Sequence, residues 1–131
     1  MDFKIMDTSV KSNDGVWMPI RNIESGEPII DEKTGKPVRW KVCGTNSKIF
    51  QKQQKIMADA EKRTRKGLST AEQTEYARKI YSACVLEWEC MEDGNKPLEC
   101  TPENVRLVFD TSEPIFKQLV EFIDTASNFL A

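Results

Sequence analysis

The feature that most constrains this chain is a break in texture near residue 44. Before it, Gly15, Pro19, Gly26, Pro28, Gly35, Pro37 and Gly44 punctuate short runs of strand formers. Those runs are Val16-Trp17-Met18, Ile29-Ile30 and Val38-Arg39-Trp40-Lys41-Val42. Glycine and proline at that density do not permit a helix of useful length. The last run alternates: Val38, Trp40 and Val42 share one face, and Arg39, Lys41 and Cys43 share the other, the pattern of a half-buried strand. Residues 31–37 separate Ile29-Ile30 from this strand, and Gly35 can adopt a positive φ, so a hairpin is expected there. Residues 8–14 are polar and read as a mobile stretch.

From Thr45 onward the periodicity is helical. A first helix is expected over 46–66, capped by Asn46 or Ser47, with Ile49, Phe50, Ile56, Met57 and Ala60 on one face and Gly67 just past its end. A second starts at Ser69, where Ser69-Thr70-Ala71-Glu72 forms a capping box. Its buried stripe is Tyr76, Ala77, Ile80, Tyr81, Cys84, Trp88 and Met91, and Gly94 marks its end or the next turn. Thr101-Pro102-Glu103 sets a cap followed by proline at the first helical position, which starts a short third helix with Val105, Val108 and Phe109 on its apolar side. A fourth runs from Thr111 or Ser112 to the C-terminus. One stripe of it, Ile115, Leu119, Phe122, Ala126 and Phe129, suffices for a core. A second, Phe116, Val120, Ile123 and Leu130, either belongs to a central core helix or faces a partner.

The composition excludes familiar chemistry. The 131 residues contain no histidine. A Ser-His-Asp or Cys-His nucleophile, an HExxH zinc helix and an imidazole proton shuttle are therefore all out of reach. No phosphate-cradling GxxxxGK[ST] or GxGxxG loop occurs. Cys43, Cys84, Cys90 and Cys100 match no zinc spacing and are expected to be reduced and structural. The crowded carboxylates Glu87, Glu89, Glu92, Asp93, Glu99 and Glu103 lack EF-hand spacing and read as a solvated acidic face. No catalytic residue, metal or cofactor is expected. No run of 18 apolar residues and no secretory h-region is visible, so the expected compartment is a reducing cytoplasm.

Charge carries more information than its total. The formal net charge is −2. Residues 1–66 hold 14 basic and 9 acidic side chains, net +5, whereas residues 67–131 hold 5 basic and 12 acidic, net −7. Lys48, Lys52, Lys55, Lys62 and Lys66 recur at helical spacing and draw a basic stripe, interrupted by Asp59 and widened by Arg63 and Arg65. Such a stripe is a solvated face, a docking site for an acidic protein surface, or a phosphate-binding track. No aromatic side chain interleaves it, which weakens single-strand stacking. If the two halves project to different faces, identical subunits would attract head to tail.

Several short motifs then fall into a known order. Gly15-x-Trp17 is followed by the Gly/Pro-rich hairpin, by Val38-x-Trp40-x-Val42-x-Gly44, and by the polar Thr45-Asn46-Ser47 step into a basic helix. Further on come Ala83-Cys84-Val85-Leu86-Glu87-Trp88, the turn Asp93-Gly94-Asn95-Lys96-Pro97-Leu98, the helix start Thr101-Pro102-Glu103-Asn104, and the close Ala126-Ser127-Asn128-Phe129. In this order and spacing the chain resembles the tail assembly chaperones of long-tailed bacteriophages over residues 15–131. The resemblance implies a non-enzymatic protein of the infected bacterial cytoplasm. It would bind the tape measure protein and tail tube protein during assembly, multimerise, and be absent from the finished virion.

The expected architecture is therefore α+β within a single domain spanning 1–131. A small antiparallel sheet from residues 1–44 packs on four helices from residues 45–131. The expected client-binding residues are Phe116, Val120, Ile123, Leu130, Trp17 and Tyr76. The expected self-association residues are Lys48, Lys52, Lys55, Lys62 and Lys66. A structural virion protein (tail or head–tail connector) and a nucleic-acid-binding regulator are the alternatives. No membrane contact is expected.

Overall fold

The computed structural model describes residues 1–131. The fold is α+β. A short 3₁₀ turn, Phe3–Met6, leads into α1 (Ser9–Asp14). Strands β1 (Val16–Pro19) and β2 (Arg39–Val42) follow, then α2 (Lys48–Lys62) and α3 (Thr70–Ala83). Next come β3 (Val85–Glu89) and the two-residue strands β4 (Glu92–Asp93) and β5 (Lys96–Pro97). Helices α4 (Pro102–Thr111) and α5 (Glu113–Asp124) and a 3₁₀ turn, Ala126–Phe129, complete the chain.

The main sheet is antiparallel in the order β1-β2-β3. Register sets Met18, Trp40 and Trp88 side by side, with Trp17, Lys41 and Glu87 forming the next row. Because successive side chains alternate faces, the first row points into the core and the second toward solvent. Trp40 and Val42 are wholly buried, as the alternation of 38–42 requires. Between β1 and β2 the chain makes two bridges, Arg21 to Pro28 and Ile30 to Pro37, so the expected hairpin over 31–37 is present. The Asp31 carboxylate accepts hydrogen bonds from the Thr34 amide and hydroxyl at its tip.

An aromatic relay joins the sheet to the helices. Trp88 packs on Trp40 at 5.1 Å, Trp40 on Phe109 at 6.1 Å and Phe109 on Phe116 at 4.9 Å. Phe116 meets Tyr81 at 6.0 Å, and Tyr81 meets Phe50 at 5.7 Å. Tilted and edge-on contacts of this kind add about 0.5–1.5 kcal/mol each beyond the area they bury. The relay touches β3, β2, α4, α5, α3 and α2 in turn. Val105, Val108 and Phe109 are all buried on α4, as their spacing predicts.

Helix starts agree with the cap chemistry. Ser47 accepts from the Phe50 amide, Ser69 and Glu72 complete the capping box, and Thr101 accepts from the Asn104 amide ahead of Pro102. Five elements differ from expectation. The α2 helix ends at Lys62 instead of 66, so Gly67 does not cap it. The α3 helix ends at Ala83, and Trp88 lies on a third sheet strand where a helical stripe was expected. Cys84 and Trp88 satisfy both a helical i, i+4 spacing and a strand spacing, and the need of β2 for a second neighbour decides between them. Where residues 8–14 were expected to be a mobile stretch, Ser9–Asp14 form a short helix: Ser12 is buried, and its carbonyl accepts from the Gly44 amide at 3.1 Å. The last expected helix breaks after Asp124, where Thr125 is extended. Residues 45–131 carry four α-helices, as expected, and α1 is a fifth in the N-terminal part.

Gly44 is where the two chain ends close on the sheet. A methyl group there would meet the Ser12 hydroxyl and, at 3.0 Å, the Phe129 ring. Both neighbours are buried and cannot swing away. Gly44→Ala is expected to cost about 1–3 kcal/mol by overpacking. Urea denaturation reads this directly, and an unchanged midpoint would show that the two ends do not pack on this glycine.

Candidate interaction surfaces

The basic stripe survives folding nearly whole. Lys48, Lys52, Lys55 and Lys62 lie on α2 within an arc of roughly 80° at about 100° per residue. All four are exposed. The buried Phe50 and half-buried Met57 occupy the opposite side, so the stripe faces away from the core. Lys66 is also exposed but lies past the helix end, so helical spacing no longer places it on the stripe.

None of these lysines is used inside the fold. The four salt bridges are Lys33–Glu92, Arg39–Glu89, Arg78–Asp110 and Arg106–Glu75. The first two join the basic and acidic halves of the chain, so part of the charge separation is cancelled at the sheet. The lysines of α2 and the exposed carboxylates Glu87, Glu99 and Glu103 have no ion-pair partner.

The expected client-binding residues do not form one exposed face. Ile123 is wholly buried and offers no surface. Phe116, Val120 and Leu130 are half-buried. Phe116 is held between Phe109 and Tyr81, and the Arg78 guanidinium lies 4.7 Å over its ring. The second stripe of α5 is thus consumed largely by the chain itself. The physical reason is that α5 packs on α4 while its Phe116 also reaches Tyr81 of α3, so more than one side of it is covered. Tyr76 sits half-buried on α3, the helix on which it was expected, with the Lys79 ammonium 5.3 Å from its ring.

Trp17 stands on the edge strand β1, on the solvent face of the sheet. The Arg39 guanidinium stacks 4.2 Å above its ring and grips Glu89 through two hydrogen bonds of 2.8 and 3.1 Å. The guanidinium beside it holds the Glu89 carboxyl below the usual range. Lowered carboxyl pKa values imply stability that is present above the ordinary glutamate range and lost as pH falls through the folded value.

Sequence reasoning missed the most exposed apolar surface. Phe3, Ile5 and Met6 are 75%, 61% and 64% exposed, and Met1 and Val10 are exposed beside them. The 3₁₀ turn that carries Phe3–Met6 buries none of its residues. The signal was the density of apolar residues in Met1-Asp2-Phe3-Lys4-Ile5-Met6, directly before a polar stretch.

The four cysteines are free thiols. Cys43 and Cys84 are wholly buried, and burial pushes the Cys84 thiol up to about 12 and Cys43 upward. Thiols held protonated in this way are poor nucleophiles. No group of three or more Cys, Asp or Glu side chains is gathered as a metal site. No helix is long and apolar enough to cross a membrane.

A double-mutant cycle on Trp17→Leu and Arg39→Met is expected to give a coupling of about 0.5–1 kcal/mol, the usual range for an exposed cation–π pair. In the same background, an NMR titration of the Glu89 carboxyl should return toward the ordinary value with Arg39→Met. A coupling of zero with an unmoved titration would rule out the Trp17–Arg39–Glu89 stack. Comparison with family models, curated proteins and solved structures found no match for this chain.

Proposed function

We propose that this chain is a phage tail assembly chaperone, a non-enzymatic protein that binds the tape measure and tail tube proteins in the host cytoplasm. The reading starts from the ordered motifs between Gly15 and Phe129. The observation that carries it furthest is the unspent surface: five lysines and three carboxylates that no internal partner neutralises, together with an exposed apolar N-terminal segment. Contiguous exposed apolar surface marks contact with another macromolecule. Exposed like-charged rows favour encounter with a surface of opposite sign.

In this account the lysines of α2 dock on the acidic side of a neighbouring subunit, and apolar side chains cover segments of the client. The half-buried Phe116, Val120, Leu130, Trp17 and Tyr76 contribute to the client contact only where the local packing opens. The lysine row also favours a second reading, a nucleic-acid-binding regulator. Retention on DNA that falls steeply with salt would support it.

The charge-reversal variant Lys52→Glu/Lys55→Glu/Lys62→Glu separates the two. It should abolish self-association in light scattering while leaving the circular dichroism spectrum intact, because all three positions are exposed. Unchanged oligomers would refute docking through α2. The client is tested by co-expression with the long helical tape measure protein. Co-purification of a soluble complex is the expected result, and an insoluble tape measure protein with no captured chain would sink the chaperone assignment.

A further inference from the structure

We infer that the segment Met1-Asp2-Phe3-Lys4-Ile5-Met6 of one copy docks as an added strand on the free edge of β3 in a second copy. The inference rests on the self-association part of the reading above and assigns the same interface a second contact, made by residues other than the α2 lysines, with both contacts needed for association.

The segment is poorly satisfied where it stands. Its 3₁₀ turn is held by the Asp2 carboxylate accepting from the Lys4 amide and by local backbone bonds that include Ile5 to Asp2 and Asp7 to Lys4. It buries no residue. The sequence itself alternates, with Met1, Phe3 and Ile5 apolar and Asp2 and Lys4 charged, which is a strand pattern and not a helical one. Local preference and local structure therefore disagree, as they do in segments that find their partner elsewhere.

The acceptor is equally unfilled. β3 is the last strand of its sheet, so one side of its backbone has no strand neighbour. Beside it lies a groove of about 350 Å³ between the start of β3 and the start of α4, lined by Ala83, Val85, Leu86, Cys100, Pro102 and Val105 among others. Leu86 lines this groove and is partly exposed, with its side-chain tip close to Gly15. The unpaired carboxylates Glu87, Glu99 and Glu103 flank those lining residues in sequence. An extended segment bound at a sheet edge gains main-chain hydrogen bonds and seats alternate side chains in pockets. Phe3 and Ile5 have the spacing for that, and Lys4 brings a positive charge to the acidic rim.

The opposite edge does not compete. β1 ends in Pro19, which has no N–H to offer a new strand. Just beyond it, the Gln118 side-chain amide already pairs with Arg21, accepting from its N–H and donating to its carbonyl, both at 2.8 Å. The donor segment and the groove are different surfaces, so the contact is heterologous. It also brings the lysine-bearing side of one copy toward the acidic side of the next, because Asn13 and Thr8 tie the N-terminal region to the start of α2.

The test uses two full-length variants at exposed positions. Phe3→Asp/Ile5→Asp removes the donor, and Leu86→Lys blocks the acceptor. Each alone should be a monomer by light scattering at concentrations where the wild type associates. Mixed in equal amounts they should give a species of twice the chain mass and no larger, since only one donor and one open groove remain. A peptide of residues 1–7 should lower the mass of wild-type assemblies and bind the donor-less variant at least tenfold more tightly than Leu86→Lys. A wild type that stays monomeric, a Leu86→Lys chain that associates like wild type, or a mixture that stays monomeric would each overturn the inference. If charge reversal on α2 still dissociates the assembly in those last two cases, docking through the lysines stands and only the strand exchange fails.

Discussion

Burying Trp40 is the constraint on which the rest of the structure depends. Its indole lies in the middle strand, and covering both of its long edges takes two different parts of the chain. Met18 stands on one side in the register and Trp88 on the other, while Phe109 of α4 closes over the ring. The indole N–H is buried with no hydrogen-bond partner, a cost of about 1–3 kcal/mol that apolar packing must offset. A strand from residues 16–19 alone would leave Trp40 half covered. The chain therefore returns after α3 to supply β3, and the basic and acidic halves meet at the sheet through Arg39–Glu89 and Lys33–Glu92.

That return explains which parts of the fold were legible in the sequence. Alternation in 38–42 named the buried face of β2 correctly because a half-buried strand has a strict period of two. Ser47, the Ser69–Glu72 box and Thr101-Pro102 marked three helix starts, because caps are local chemistry. Residues 85–89 were not legible. Val85, Trp88 and Cys84 fit two periods, and only the long-range need of Trp40 for cover selects the strand. The six residues of α1 include a single apolar one, Val10, and so carry no apolar period, and their helix is held from outside by Gly44 and by Asn13 accepting from the Lys48 amide.

The surface was legible in charge and misjudged in apolar character. Spacing alone put four lysines on one side of α2, and none is used internally. The second stripe of α5 looked surplus because a single helix shows no partner, yet α4 and Tyr81 of α3 cover much of it. The densest run of uncovered apolar residues lies instead at Phe3, Ile5 and Met6, in a segment too short for periodicity to single out. Charge left unpaired on α2 and beside the β3–α4 groove, with the exposed apolar residues of the N-terminal segment, is what supports the proposal that other protein surfaces complete this chain's interactions.

That claim is tested most directly by sedimentation velocity of the purified chain over a wide concentration range at low and high salt. The account predicts a weight-average mass above one chain that grows with concentration at low salt. It should fall as salt screens the lysine–carboxylate contacts over a Debye length of about 10 Å at 0.1 M. A single-chain mass at every concentration and every salt would contradict it.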